Sequence, residues 1–310
     1  MTQTFWGEKR YHSLDYELKK IYGEKVYKIT LNAGCTCPNR DGTLGSGGCI
    51  FCSGMGSGDF AGSALASVTK QLENGKQDLL QKRPVHNYIA YFQAFTNTYA
   101  PVEYLEDIYT EALADPEVRI LSIATRPDCL GVDVLALLDK LNRRKPVWVE
   151  LGLQTIHPCT AHYIRRGYEL PVFEEAVHNL RKLGITVIVH TILALPGETD
   201  VQMFQTIDYL NHMDIQGIKL QLLHVLKGTD LASDYEKEPF WIPDMDEYIK
   251  LLSGCISRLS PDIVIHRLTG DGPKELLLAP LWTSNKRSVL NALHKSLKDQ
   301  DMWQGKEYHE

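Results

Sequence analysis

Val147-Trp148-Val149-Glu150-Leu151-Gly152-Leu153-Gln154 alternates in character residue by residue. Successive side chains of an extended strand point to opposite faces, so Glu150, Gly152 and Gln154 share one face and Val149, Leu151 and Leu153 the other. One face is fit to pack helices; the other is polar. Working outward, further apolar, β-branched runs at 26–31, 88–92, 119–124, 186–195 and 217–223 read as strands. Helical patterns at 63–81, 101–114, 132–142, 171–183 and 200–212 lie between them, with Pro101 and Pro171 at first-turn positions. This alternation predicts parallel strands joined by right-handed crossovers, in a sheet that either curls into a barrel or lies open. After the sixth strand come a helix near 244–258, a short strand near 263–267 and a polar helix over 286–297. Barrel enzymes place their chemistry at the C-terminal strand ends. That directs attention to Gln93, Thr125, Arg126, Glu150, Gln154, His190 and Gln221. For each of them a hydrogen-bonded structural role is the competing assignment, most of all for His190, which sits in an apolar run.

The chain has 310 residues, 44% of them hydrophobic, enough for one barrel-sized core or two smaller ones. No linker or repeat divides it. The expected organisation is an N-terminal helical segment at 1–25, a barrel at 26–270 and a C-terminal extension at 271–310. The first ten residues are polar, and the longest apolar run, near 185–195, is short and broken by His190 and Thr191. No membrane association is expected, and a cytoplasmic location is. A net charge of −6 gives no global attraction to nucleic acid, although basic residues gather locally at Lys9, Arg10, Lys19, Lys20, Lys25 and Lys28.

Directly after the first strand stand four cysteines, in Cys35-Thr36-Cys37-Pro38-Asn39-Arg40-Asp41-Gly42 and Gly47-Gly48-Cys49-Ile50-Phe51-Cys52. Eleven residues separate Cys37 from Cys49, and the other three cysteines, Cys129, Cys159 and Cys255, are scattered. Grouped thiols are the ligands that iron–sulfur clusters require, and the intervening glycines let the backbone turn around such a body.

The run from Cys37 to Cys52 resembles the cluster loop of the radical S-adenosylmethionine (SAM) enzymes, in particular the group related to the catalytic subunit of Elongator. Segments similar to that group recur in order from about residue 27 to 285. The resemblance implies a partial (β/α)6 TIM-like barrel of α/β class with a C-terminal helical extension. It implies a [4Fe–4S] cluster on Cys37, Cys49 and Cys52, with Cys35 where the family usually has an aromatic residue. Three protein thiolates leave one iron open, which is where SAM is expected to bind and be cleaved to a 5′-deoxyadenosyl radical. The same match assigns the SAM amine to the segment holding Gln93, Thr96 and Asn97, which departs from the usual Gly-Gly-Glu form. Thr125-Arg126-Pro127-Asp128 matches the third strand end. Glu150 or Gln154 is expected at the ribose, Arg166 in bidentate contact with the SAM carboxylate, and the 195–199 turn at the adenine. His190 is carried as a further cofactor-site residue.

The implied substrate is tRNA, at the C5 side chain of a wobble uridine, with carboxymethylaminomethyl-uridine converted to aminomethyl-uridine. An electron donor such as flavodoxin or ferredoxin is the expected second partner. Arg267, Asp271 and Lys286 suit an anionic substituent or a phosphate. A small-molecule substrate for the same machinery is the alternative. From a different class, a zinc ribbon would use Cys35, Cys37, Cys49 and Cys52 as four ligands of one closed, colourless site.

Overall fold

The computed structural model describes residues 5–56, 58–81, 85–270 and 272–309. Its strands are β1 (Tyr27–Leu31), β2 (Tyr88–Phe92), β3 (Val118–Thr125), β4 (Val147–Gln154), β5 (Thr186–Leu193), β6 (Gly217–Leu222), β7 (Val225–Leu226), β8 (Val264–Arg267) and β9 (Leu277–Ala279). The helices are α1 (Leu14–Tyr22), α2 (Val68–Leu80), α3 (Val102–Ala114), α4 (Val132–Asn142), α5 (Pro158–Tyr163), α6 (Leu170–Lys182), α7 (Asp200–Asn211), α8 (Asp230–Lys237), α9 (Met245–Arg258) and α10 (Lys286–Asp299). Seven strands form one sheet in the order β1-β2-β3-β4-β5-β6-β8, every pair parallel, while β7 and β9 form a separate antiparallel pair. This is a partial TIM-type barrel with helices outside it. The sheet has one strand more than the six expected, because the segment at 264–267 joins its edge, and the C-terminal extension holds β9 as well as a helix.

The alternation in β4 has the expected consequence. Val149, Leu151 and Leu153 are fully buried in the main core with Val187 and Val189 of β5 and the helices α3, α4 and α6. The opposite face forms the barrel interior, and its lower layer is apolar: Ile89, Ile120, Trp148 and Ile188 pack with Leu18 of α1. Helix α1 thus plugs the N-terminal end of the barrel. Ser13 starts it by accepting the amide of Tyr16, and Gly23 ends it at φ 75°, where a side chain would be strained. Burial of Leu18, 2% exposed, stabilises the plug by about 2 kcal/mol.

Helix α2 begins at Val68 rather than 63, since Ser67 supplies the cap by accepting the Lys70 amide. Helix α5, of six residues, and α8, of eight, were not anticipated. Their runs are too short for apolar periodicity to stand out.

Candidate active site at the strand ends

The loop that leaves β1 folds over the C-terminal ends of the strands, and three of its four cysteines, Cys37, Cys49 and Cys52, line one cavity there. Backbone and side chains fix the loop jointly. Asn39 donates from Nδ2 to the Arg165 carbonyl at 2.8 Å, Arg40 donates from Nη2 to the Ser53 carbonyl at 2.6 Å, and the Gly48 amide donates to the Asn39 carbonyl at 2.7 Å. Gly48 has φ 76°, and a Cβ there would lie 2.8 Å from Arg40 Nε, so this turn admits no side chain. Cys35 goes elsewhere. It is 8% exposed, packs in the main core, and its thiol is pushed up to about 11 by burial. Its hydrogen bond with Cys52, to which it donates, together with burial, holds the Cys49 thiol well above its ordinary range.

Below the thiols runs a layer of buried charge. Glu150 accepts from Lys28 Nζ and Ser122 Oγ at Oε1, each at 2.7 Å. At Oε2 it meets His190 Nε2 at 2.7 Å and the Lys219 ammonium. Lys219 also donates to the Tyr91 hydroxyl at 3.0 Å. Burial pushes the Glu150 carboxyl up, but Lys219, Lys28 and His190 together outweigh it and hold the group well below the usual carboxylate range.

His190 is lowered to about 4 by burial, with Lys219 adding to the effect and Glu150 opposing it. It is neutral in the folded chain and takes a proton near 6.5 once unfolded. Its stabilisation is therefore complete above pH 6.5 and lost as pH falls toward about 4, by about 3 kcal/mol. Urea unfolding at stepped pH should show the wild type losing about that much more than His190→Gln, whose amide still reaches Glu150. Parallel pH profiles for the two proteins would count against this.

Gln93, Thr125, Arg126, Gln154, His190 and Gln221 line the cavity, as their strand-end positions predict, and Arg267, the last residue of β8, lines it as well. Gln154, at φ 69°, has a buried Oε1 with no hydrogen-bond partner among the described residues.

Four of the expected residues have partners within the chain that local sequence does not show. Glu150 lines the cavity, but four donors occupy both carboxylate oxygens, which leaves it no lone pair for a ribose. His190 gives Nε2 to that same network while it lines the cavity. Arg166 gives Nε to the Tyr168 carbonyl at 3.0 Å and Nη1 to the carbonyls of Leu153 and Thr155 at 3.2 and 2.6 Å. With those edges spent, it closes the loop after β4 and has no bidentate edge for a carboxylate. Asn97 is fully buried and outside the cavity wall, where Nδ2 ties the Phe92 and Ala124 carbonyls at the ends of β2 and β3. Thr96, its neighbour, does line the cavity. Lys286 starts α10 on an exposed surface away from the cavity, the 195–199 turn lies outside the cavity wall, and Asp271 lies outside the described residues. Lys219, in contrast, lines the floor and was missed, because nothing local marks a lone lysine in an apolar strand as functional.

The model of the Radical SAM superfamily matches residues 36–210, and that of the Radical_SAM C-terminal domain matches 215–299. The chain belongs to the radical SAM superfamily. It is 46% identical over 299 residues to the uncharacterized protein YtqA of Bacillus subtilis, covering 96% of this chain and 93% of YtqA. The tRNA uridine(34) acetyltransferase of Methanocaldococcus jannaschii is 26% identical over 168 residues, 53% of this chain and 30% of that protein. The archaeal Elp3 of Methanocaldococcus infernus superimposes with a TM-score of 0.69 at 15% identity, over 90% of this chain and 64% of that chain, a likeness of fold.

Radical SAM enzymes use a [4Fe–4S] cluster and SAM and need a reductant. The donor set here fits such a cluster: three thiols face one cavity and the fourth is withdrawn into the core. No helix among the described residues is long and apolar enough to cross a membrane.

Proposed function

We propose that this radical SAM enzyme acts on tRNA, at the C5 side chain of a wobble uridine, converting carboxymethylaminomethyl-uridine to aminomethyl-uridine. The observation that supports the choice of substrate is the similarity to a tRNA uridine(34) acetyltransferase over 168 residues. Acetyl transfer itself is not carried over, since the match spans only 30% of that relative. In this reading Cys37, Cys49 and Cys52 hold the cluster, which when bound supplies the one-electron cleavage of SAM. Gln93 and Thr96 offer acceptors to the SAM ammonium, and Gln154 offers one to a ribose hydroxyl. Arg40, held over the Phe95 ring at 5.6 Å, and the Arg126–Asp128 pair keep the loop and strand ends rigid around the reactants. In that reading the substituent's methylene carbon would give a hydrogen atom to the SAM-derived 5′-deoxyadenosyl radical, and loss of a proton and of one electron back to the oxidised cluster would leave an imine; water would then cleave the C–N bond, releasing the two-carbon unit as glyoxylate and leaving the amine on the base.

Mass spectrometry of tRNA nucleosides from a deletion strain tests the assignment. Carboxymethylaminomethyl-uridine should accumulate, and the aminomethyl and methylaminomethyl forms should fall at least about tenfold, as expected when one enzyme supplies the step. Unchanged levels would reject it.

A further inference from the structure

Cys49 Sγ lies 3.6 Å from the carbonyl oxygen of Arg165. As a cluster ligand this sulfur carries no proton, so it and the carbonyl become two acceptors facing each other. Such a pair repels unless one donor serves both. The side chain of Asn39 does so: Nδ2 is 2.8 Å from the Arg165 oxygen and 3.5 Å from Cys49 Sγ, with a further contact of 3.4 Å to the Arg166 carbonyl. A primary amide has two N–H bonds, enough to meet the carbonyl and the sulfur together.

The surroundings hold this amide in place. Asn39 is 5% exposed, and its own carbonyl accepts the amide of Gly48, the residue before Cys49. On the other side stands Gly167 at φ 82°, where a Cβ would lie 2.7 Å from Asn39 Oδ1 and 3.2 Å from Arg126 Nη2. A residue without a side chain leaves the room that the amide takes. Arg165, whose carbonyl completes the arrangement, is at φ 55°, a left-handed conformation uncommon outside glycine. Arg126, the cation beside this turn, gives Nε and Nη2 to Asp128 at 2.9 and 2.7 Å and Nη1 to the Arg166 carbonyl at 2.8 Å, so its charge is answered by its own neighbour. The contact to the sulfur comes from a neutral amide.

An N–H donated to a ligand sulfur is a stronger bond when the cluster is reduced, because its sulfurs then carry more negative charge. Such a bond favours the reduced form and raises the reduction potential.

We propose that Asn39 is a positioning residue that sets the reduction potential of the cluster by donating its side-chain amide to the Cys49 sulfur, while the same amide answers the Arg165 carbonyl. The inference rests on Cys49 being a cluster ligand, and not on the tRNA substrate.

The midpoint potential of the anaerobically reconstituted protein is measured by EPR-monitored redox titration for wild type, for Asn39→Leu, which keeps the bulk without a donor, and for Ile50→Val. Ile50 is the control for packing of the loop: it lies between Cys49 and Cys52, is 2% exposed, and bonds Ile164 and Leu231 through its amide and carbonyl. Asn39→Leu should lower the reduction equilibrium constant about tenfold, a fall of about 59 mV for a one-electron couple, while Ile50→Val stays within about twofold of wild type. A change below about twofold in Asn39→Leu overturns the proposal. So does an equal fall in Ile50→Val, because the potential then follows packing and not the donor. Should Asn39→Leu fail to fold or to hold iron, the wild type decides. Made with asparagine carrying nitrogen-15 at the side-chain amide, its reduced cluster should show a nitrogen-15 coupling in pulsed EPR, and absence of that coupling overturns the proposal. If Cys49→Ala keeps its full iron and sulfide, Cys49 is no ligand and both readings fall. If it loses iron while Asn39→Leu leaves the potential unmoved, only the role of Asn39 falls.

Discussion

Alanine at Cys37, Cys49 or Cys52 should each abolish iron retention after anaerobic reconstitution, while alanine at Cys35 should leave iron and sulfide content unchanged. The four thiols sit within eighteen positions, and local sequence does not distinguish them. Their surroundings do. Three line the cavity, and Cys35 packs among Leu31, Ala33 and Tyr109 in the main core. A buried thiol kept protonated is a small hydrophobe and a poor ligand. Its loss should cost about 1–2 kcal/mol of stability, the scale for removing one small buried group, and no metal. Iron and sulfide analysis paired with thermal melts makes the comparison. Loss of iron from a folded Cys35→Ala protein would place a fourth ligand on the cluster and close its open iron, which would end the radical reading altogether.

Glu150→Gln should destabilise the fold by about 3–5 kcal/mol, the range found when one partner of a buried ion pair is removed. The carboxylate oxygens hold Lys28, Lys219, Ser122 and His190 in place from four directions. A neutral amide leaves two ammonium groups without a counter-charge and turns its own donor toward one of them. Urea unfolding gives the magnitude, and a companion variant tests the cause. Glu150→Gln combined with Lys219→Met should recover at least about 1 kcal/mol relative to Glu150→Gln alone, since the double change removes one stranded cation along with its partner. A single-variant loss below about 1 kcal/mol would mean that water or relaxation neutralises this layer in solution.

Much of this architecture is legible in the residue order because its signals are local. The period-two pattern of 147–154 separates inside from outside, and Asp200 to Asn211 announces its start through Thr199 and Gln202, which form a reciprocal cap. Spacing alone marks the cysteine loop. What stays hidden depends on partners far away in the chain. Arg166 looks like a carboxylate ligand because its charge and position are visible, but the carbonyls of Leu153 and Thr155 that consume its donors are not. Asn97 reads as an acceptor for an ammonium at the end of β2, whereas it is a fully buried bracket between two strand ends. Lys219 is the clearest case: its place depends on Glu150, sixty-nine positions earlier, a pairing that no propensity announces.

The order β1-β2-β3-β4-β5-β6-β8 leaves two ends that do not pair with each other among the described strands. In a closed barrel, strand number and shear fix the girth. Here the girth is held by a tether and a strut: the Ser13–Ile265 bridge at one margin, and Lys28 reaching from the other margin to Glu150 in the middle of the sheet. The separation of the two margins thus depends on those two fastenings and not on a ladder between the outermost strands.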